Sequence, residues 1–211
     1  TERDMVFSAA IQEVKNGTAH SDEALQMLVD QNKDLPGCIS YYLYDEPNDT
    51  MVPIIAEEYN KLLSMDPEKH PMVNLLPSYG VLPSMGTDVS INGSYYDYVS
   101  SWVDAVGAEN LEYLSFDHYP FRASGNSDTY YKDLEVIRRV AYENGGLKTA
   151  CFLQTGSWNG MRNPTASEQR WNMYSVLAYG IKNPNYFCWM AAPYVEPPAG
   201  EGMLDHVIDE E

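Results

Sequence analysis

The chain has 211 residues, 44% of them hydrophobic, and a net charge of −18 from 31 acids against 13 bases. That length suits one domain or most of one, and the apolar content is enough for a sizeable core, which argues against disorder. Lys and Arg cluster nowhere, so the charge argues against nucleic acid and anionic membrane as partners; a neutral substrate is compatible with it.

Residues 1–35 read as two helices, Asp4–Asn16 and Ser21–Asn32, with no strand. Five short, largely apolar strands are predicted next: Gly37–Tyr44, Met72–Leu76, Tyr113–Phe116, Thr149–Leu153 and Asn185–Met190. Helical patterns fall between them at Val52–Ser64, Ser94–Val106, Thr129–Asn144 and Thr165–Gly180. The first of these places Ile54, Ile55, Tyr59, Leu62 and Leu63 on one side. Asp66-Pro67 and Asn144-Gly145-Gly146 read as helix ends. Thr165 and Glu168 stand at capping-box spacing.

Strands recurring every ~30–40 residues between helices imply βα units and a parallel sheet. The predicted fold is α/β, a TIM (β/α)8-type barrel that is incomplete in this chain: about five βα units, strands 4–8. Residues 1–211 then form a single partial barrel domain, since a full barrel takes about 250 residues. An open half leaves strand edges unpaired. Earlier strands are therefore expected upstream in the gene product or from a second chain. The rival is an open doubly wound sheet. Three isolated cysteines (Cys38, Cys151, Cys188) show no metal-binding spacing and leave the compartment undecided. No membrane-spanning run or signal peptide is present, and a start at Thr1 without an initiator methionine says nothing about export.

The chemistry lies at the strand ends. Tyr41-Tyr42-Leu43-Tyr44 runs into Asp45-Glu46-Pro47, and the proline stops the ladder. Both acids therefore sit at a strand's carboxyl end, where α/β proteins build active sites. The second strand offers Asn74 and, beyond it, Tyr79. The third offers Asp117-His118-Tyr119-Pro120, the fourth Gln154 and Trp158, and the fifth Trp189 with Glu196 farther out. Carboxylates, amides and aromatic rings on one rim match glycoside hydrolysis. No G-x-S-x-G, P-loop or G-x-G-x-x-G motif is present, and no cysteine lies beside a histidine.

Taken in order over about residues 33–195, these strand ends resemble clan A glycoside hydrolases, most of all the family 42 β-galactosidases. Asp45-Glu46-Pro47 resembles the Asn-Glu pair on the fourth barrel strand, whose Glu is the general acid/base. Ser115-Phe116-Asp117-His118-Tyr119-Pro120 resembles the Asp-x-Tyr-Pro segment of the sixth. Residues from Arg170-Trp171 through Ala178-Tyr179-Gly180, then Asn185–Trp189, resemble the last helix and eighth strand. The family's seventh strand carries the nucleophilic Glu; here Cys151-Phe152-Leu153-Gln154-Thr155 has no carboxylate.

The resemblance implies an oligosaccharide or polysaccharide substrate and no cofactor. Glu46 is the expected general acid, or else an acid at a helix start. Asp117 is the expected second carboxylate, or a sugar-hydroxyl or His118 anchor. A wide Glu46–Asp117 gap would leave room for the water of an inverting mechanism. Asp45, Asn74, His118, Tyr119, Gln154, Trp158 and Trp189 are the expected substrate-binding residues, with structural roles as their rivals. Glu196 reads as surface charge. No metal is expected, although Asp45, Asp117 and His118 have suitable donor chemistry. The alternative function is a sugar-binding pseudo-glycosidase without the strand-seven nucleophile; a metal-dependent hydrolase is the third reading.

Overall fold

The computed structural model describes residues 6–11, 19–85 and 93–188. Its centre is a six-stranded, all-parallel sheet in which strand order follows chain order: β1 (Phe7–Ala10), β2 (Cys38–Asp45), β3 (Pro71–Leu75), β4 (Leu114–Asp117), β5 (Thr149–Gln154) and β6 (Asn183–Phe187). The sheet curls. Ser8 and Ala10 of the first strand line the same hollow as Asn185 and Phe187 of the last. This is an incomplete TIM-like barrel with helices on its convex side.

β1 corrects the expectation of a helix over Asp4–Asn16. Phe7–Ala10 pairs in parallel with β2, Ala9 opposite Tyr41 and Ala10 opposite Tyr42. Two alanines favour a helix locally, but pairing and the burial of Ala9 outweigh that weak preference. The sheet thus has one strand more than the five expected. The last strand begins at Asn183, two residues earlier than predicted, and Met190 lies outside the described residues.

The connecting helices are α1 (Asp22–Asn32), α2 (Val52–Met65), α3 (Ser78–Met85), α4 (Ser94–Val106), α5 (Tyr130–Glu143) and α6 (Ala166–Ala178). Their ends follow local chemistry. Ser21 caps α1 by accepting from Ala24 N at 3.2 Å. Thr165 and Glu168 close the predicted capping box on α6. After α5 the chain turns through Gly145 and Gly146, at φ 81° and 77°. Helix α3 was not expected, because no capping pattern announces it. It packs closely on the loop before it: a Cβ on Gly80 would sit 2.6 Å from Leu76 Cδ2.

The core lies between the convex face of the sheet and the helices. Tyr41, Leu43, Val73, Leu75, Leu114, Phe116 and Cys151 point outward, as alternation along a strand requires. Helices α2 and α4 bury Tyr59 against Trp102 edge to face, centroids 5.9 Å apart. Replacing Trp102 with alanine removes one of the largest fully buried side chains. The expected loss is about 3–5 kcal/mol of stability, read from urea unfolding.

Candidate functional site

Local geometry at the end of β2 sets up the site. The β2–β3 register shifts between Tyr42 and Tyr44, so Asp45 pairs with Asn74. This bulge lets Tyr42 Oη donate to Asp45 Oδ1 at 2.7 Å, three residues along one strand. The next residue, Glu46, has φ 54°, a left-handed conformation uncommon outside glycine. Its N–H is fixed by donating to Asn74 O at 2.8 Å. Tyr98 of α4 holds the rim from outside. Its Oη donates to Pro47 O at 2.6 Å and accepts from Leu76 N at 3.2 Å.

One strand further, Asp117 ends β4 with 2% of its surface exposed. Its Oδ2 accepts from Asn74 Nδ2 at 2.6 Å, and Asn74 Oδ1 in turn accepts from Ser115 Oγ at 3.0 Å. The same Asn74 nitrogen lies 3.4 Å from Asp45 Oδ1. Three strands are thereby cross-braced through one amide. Among the described residues, no donor reaches Asp117 Oδ1. The carboxyl of Glu46 lies within hydrogen-bonding reach of Asp117 and cannot donate unless one of the two is protonated. Burial, then the negative charges of Glu46 and Asp45, push the Asp117 pKa well above the ordinary carboxylate range against the opposing Asn74 bond.

Asp45, Glu46, Asn74, Asp117, Tyr119 and Trp158 all line one hollow of about 540 Å³ at the carboxyl end of the sheet. That size lies within the range of small-molecule sites. Its aromatic wall is a trio. Trp158 meets Tyr119 edge-on at 4.8 Å and Phe187 at 4.9 Å, and Tyr119 and Phe187 lie 5.8 Å apart.

Two of the expected sugar-binding residues do not reach this hollow. His118 is fully buried on the other side of the chain from Asp117 and Tyr119, its ring nitrogens bonded to Asp133 and Ser127. Gln154 is spent on the backbone. Its Oε1 accepts from Phe121 N at 3.0 Å, and its Nε2 donates to Phe121 O at 3.0 Å and Arg162 O at 2.8 Å. It ties together the loops after β4 and β5. Trp189 and Glu196 lie outside the described residues. Glu46 and Asp117 stand within hydrogen-bonding reach of each other, closer than either the ~5–5.5 Å or the ~6.5–9.5 Å carboxyl spacing of the two standard mechanisms, so the pair leaves no room between them for a water. Among the described residues, no three His, Cys, Asp or Glu side chains gather closely enough to hold a metal ion.

Sequence reasoning missed Tyr42, Ser115 and Tyr98 as supports, and Asn185 and Phe187 as wall. Ser115 was within reach of a simple rule, since it stands two residues before Asp117 and so shares its face of the strand.

Neither a family model nor a curated protein matches the chain. Among solved structures it is similar to a protein from Bacteroides thetaiotaomicron described as an alpha-L-fucosidase, with TM-score 0.59 and 8% identity, over 89% of this chain and 59% of that one. It is also similar to the catalytic domain of a hyperthermophilic chitinase from Pyrococcus furiosus, with TM-score 0.51 and 12% identity, over 87% of this chain and 57% of that one. The chain thus spans less than two thirds of either neighbour. The likeness is one of fold, a partial α/β barrel, and does not single out family 42.

The raised pKa of Asp117 has a sign in stability. Folding favours its protonated form, so stability is full below the ordinary carboxylate pKa of about 3.9 and is lost as pH rises toward the folded-state pKa. Asp117→Asn is expected to melt higher than the parent at pH 7 and to lose that advantage at pH 4, read from thermal melts at both pH values. A separate effect belongs to the backbone. Glu46→Gly relieves the left-handed conformation, and a gain of about 1 kcal/mol is expected in urea unfolding.

Proposed function

We propose that this protein hydrolyses O-glycosidic bonds by carboxylate acid catalysis, with an oligosaccharide or polysaccharide as substrate. The observation that carries the reading is Asp117, a carboxyl whose pKa burial and two neighbouring acids push well above the ordinary carboxylate range, beneath a hollow walled by Tyr119, Trp158 and Phe187. A carboxyl with its pKa raised is what protonation of a leaving oxygen requires. Glu46 is more exposed, at the mouth, and is the member of the pair that meets the glycosidic oxygen. Asp117 holds the proton below it, so the two act as a dyad sharing one proton. Asp45, oriented by Tyr42 and Asn74, supplies the remaining carboxylate on the rim for water or the developing positive charge. The aromatic trio offers faces and edges on which a sugar ring can pack. Glycosidase-like neighbours of fold support the reading.

A second reading draws on Gln154. At the strand where the resembled family carries its nucleophile, this amide is occupied by backbone partners and offers nothing to a substrate. On that reading the hollow binds sugar without cleaving it.

Turnover of a panel of aryl glycosides separates the two. Glu46→Gln is expected to lower kcat by about 10²–10⁴ while leaving sugar binding measurable. Asp117→Asn is expected to move the alkaline limb of the pH–rate profile to lower pH, because the carboxyl whose raised pKa sets that limb is gone while the acid Glu46 remains. Sugar binding without turnover by the parent protein would establish the binding-only reading.

A further inference from the structure

Next to the carboxyl site, the loop after β4 lines a second hollow of about 390 Å³. There Ser127 Oγ lies 2.7 Å from His118 Nε2, and His118 Nδ1 lies 2.6 Å from Asp133 Oδ2. His118 and Asp133 are fully buried, whereas Ser127 is half-buried and lines the hollow. Asp133 Oδ2 also accepts from Ser78 N at 3.0 Å, so the carboxylate is held in place from a second direction. The Nδ1 proton points at an acceptor, which leaves Nε2 to take the proton of Ser127. Tyr79 and Tyr130 fix the ring plane edge-on at 5.0 and 5.1 Å.

A histidine buried only for packing needs no hydroxyl partner at a cavity, and here the cavity that Ser127 lines also carries a cation. Arg122 lines the same hollow, with its guanidinium stacked 4.0 Å over the Tyr79 ring. Its Nε is buried and meets no acceptor among the described residues. Asp128 also lines the hollow and opposes an anionic ligand there, which favours a neutral substrate that becomes negative only during reaction.

We propose that Ser127, His118 and Asp133 form a hydrolytic centre for short-chain acyl esters. Ser127 Oγ bonds to the ester carbonyl carbon as its proton passes to His118 Nε2. Asp133 holds the imidazole, and the Arg122 guanidinium faces the oxyanion. The bond from that carbon to the alcohol oxygen then breaks, and His118 returns the proton to the leaving alkoxide. Water repeats the two steps and releases the carboxylic acid. Tyr79 joins the two hollows, since its Oη accepts from the N–H of Tyr119, which lines the carboxyl site. The ester is therefore assigned to an acyl group carried on a glycan, an assignment that rests on the glycosidase reading above.

The full chain is incubated with a fluorophosphonate probe, the adduct located by peptide mass spectrometry, and hydrolysis of p-nitrophenyl acetate followed. A single adduct on Ser127 is expected, with ester turnover lowered about 10³-fold or more in Ser127→Ala, whose melting transition is compared with the parent. The proposal is overturned if the folded parent leaves Ser127 unlabelled, or if ester turnover survives in the variant. Acetate release from partially acetylated xylan, lost in the same variant, is the expected result for the glycan assignment. Its absence alongside aryl-ester turnover overturns that assignment alone, whatever the aryl glycosides show.

Discussion

A carboxyl group that is almost wholly withdrawn from water and faces two other acids is disfavoured as an anion. Asp117 is in that position, and the rim of the sheet is arranged to keep it there. The parallel register places Asp45 opposite Asn74 and Asn74 opposite Ser115, so three strands converge on one amide. That amide has two hydrogens and one oxygen. One hydrogen serves Asp117, the oxygen takes Ser115 Oγ, and the same nitrogen is within reach of Asp45. Asn74 therefore has no freedom to rotate away, and the charge balance among the acids is fixed by backbone pairing rather than by flexible side chains.

The strain at Glu46 belongs to the same arrangement. A left-handed residue at a strand end costs about 1–2 kcal/mol for a side chain with a Cβ. Ordinary continuation of β2 would carry Glu46 away from Asp117. The turn instead keeps it over the hollow, locked by its N–H bond to Asn74 O and by Tyr98 on the carbonyl of Pro47. Local strain of this kind persists only where surrounding bonds over-determine it. Here those bonds come from β3 and from α4, two elements far apart in sequence.

Much of the fold was legible. Helices α2, α4 and α5 follow their apolar spacing closely, and α6 follows its capping box, because amphipathic periodicity and caps are local signals. Strands β2 to β5 were readable as apolar runs stopped by polar or proline residues. β1 was not, since Ser8-Ala9-Ala10 carries no strand preference and is extended only because β2 offers an edge. α3 was equally silent, since its first N–H is met by Asp133, a carboxylate 55 residues along the chain, rather than by a neighbouring side chain. At the site, the sequence located Asp45, Glu46, Asn74, Asp117, Tyr119 and Trp158 at one rim, since strand ends in parallel sheets share a side. It misjudged His118 and Gln154. A residue type announces what a side chain can bond, whereas its partner depends on loops folding back: Gln154 meets Phe121 and Arg162, and His118 meets Asp133, only in three dimensions. The bulge at Tyr42, which brings that phenol to Asp45, leaves no trace in the residue pattern.

The alternation of side chains along β4 and its extension explains how two kinds of chemistry stand so close together. Asp117 and Tyr119 face the concave hollow, and His118 between them faces the helices. A strand end thus delivers an acid to one compartment and an imidazole to another, separated by a backbone's thickness. The acid depends on acidic neighbours to hold its proton. The imidazole depends on a carboxylate, Asp133, that comes from α5, and its ring is held edge-on by Tyr79 and Tyr130. Had His118 pointed inward, it would have met Asp45, Glu46 and Asp117 in place of Asp133 and Ser127. Opposite sides of one strand thus give the imidazole and the carboxyl group separate sets of neighbours.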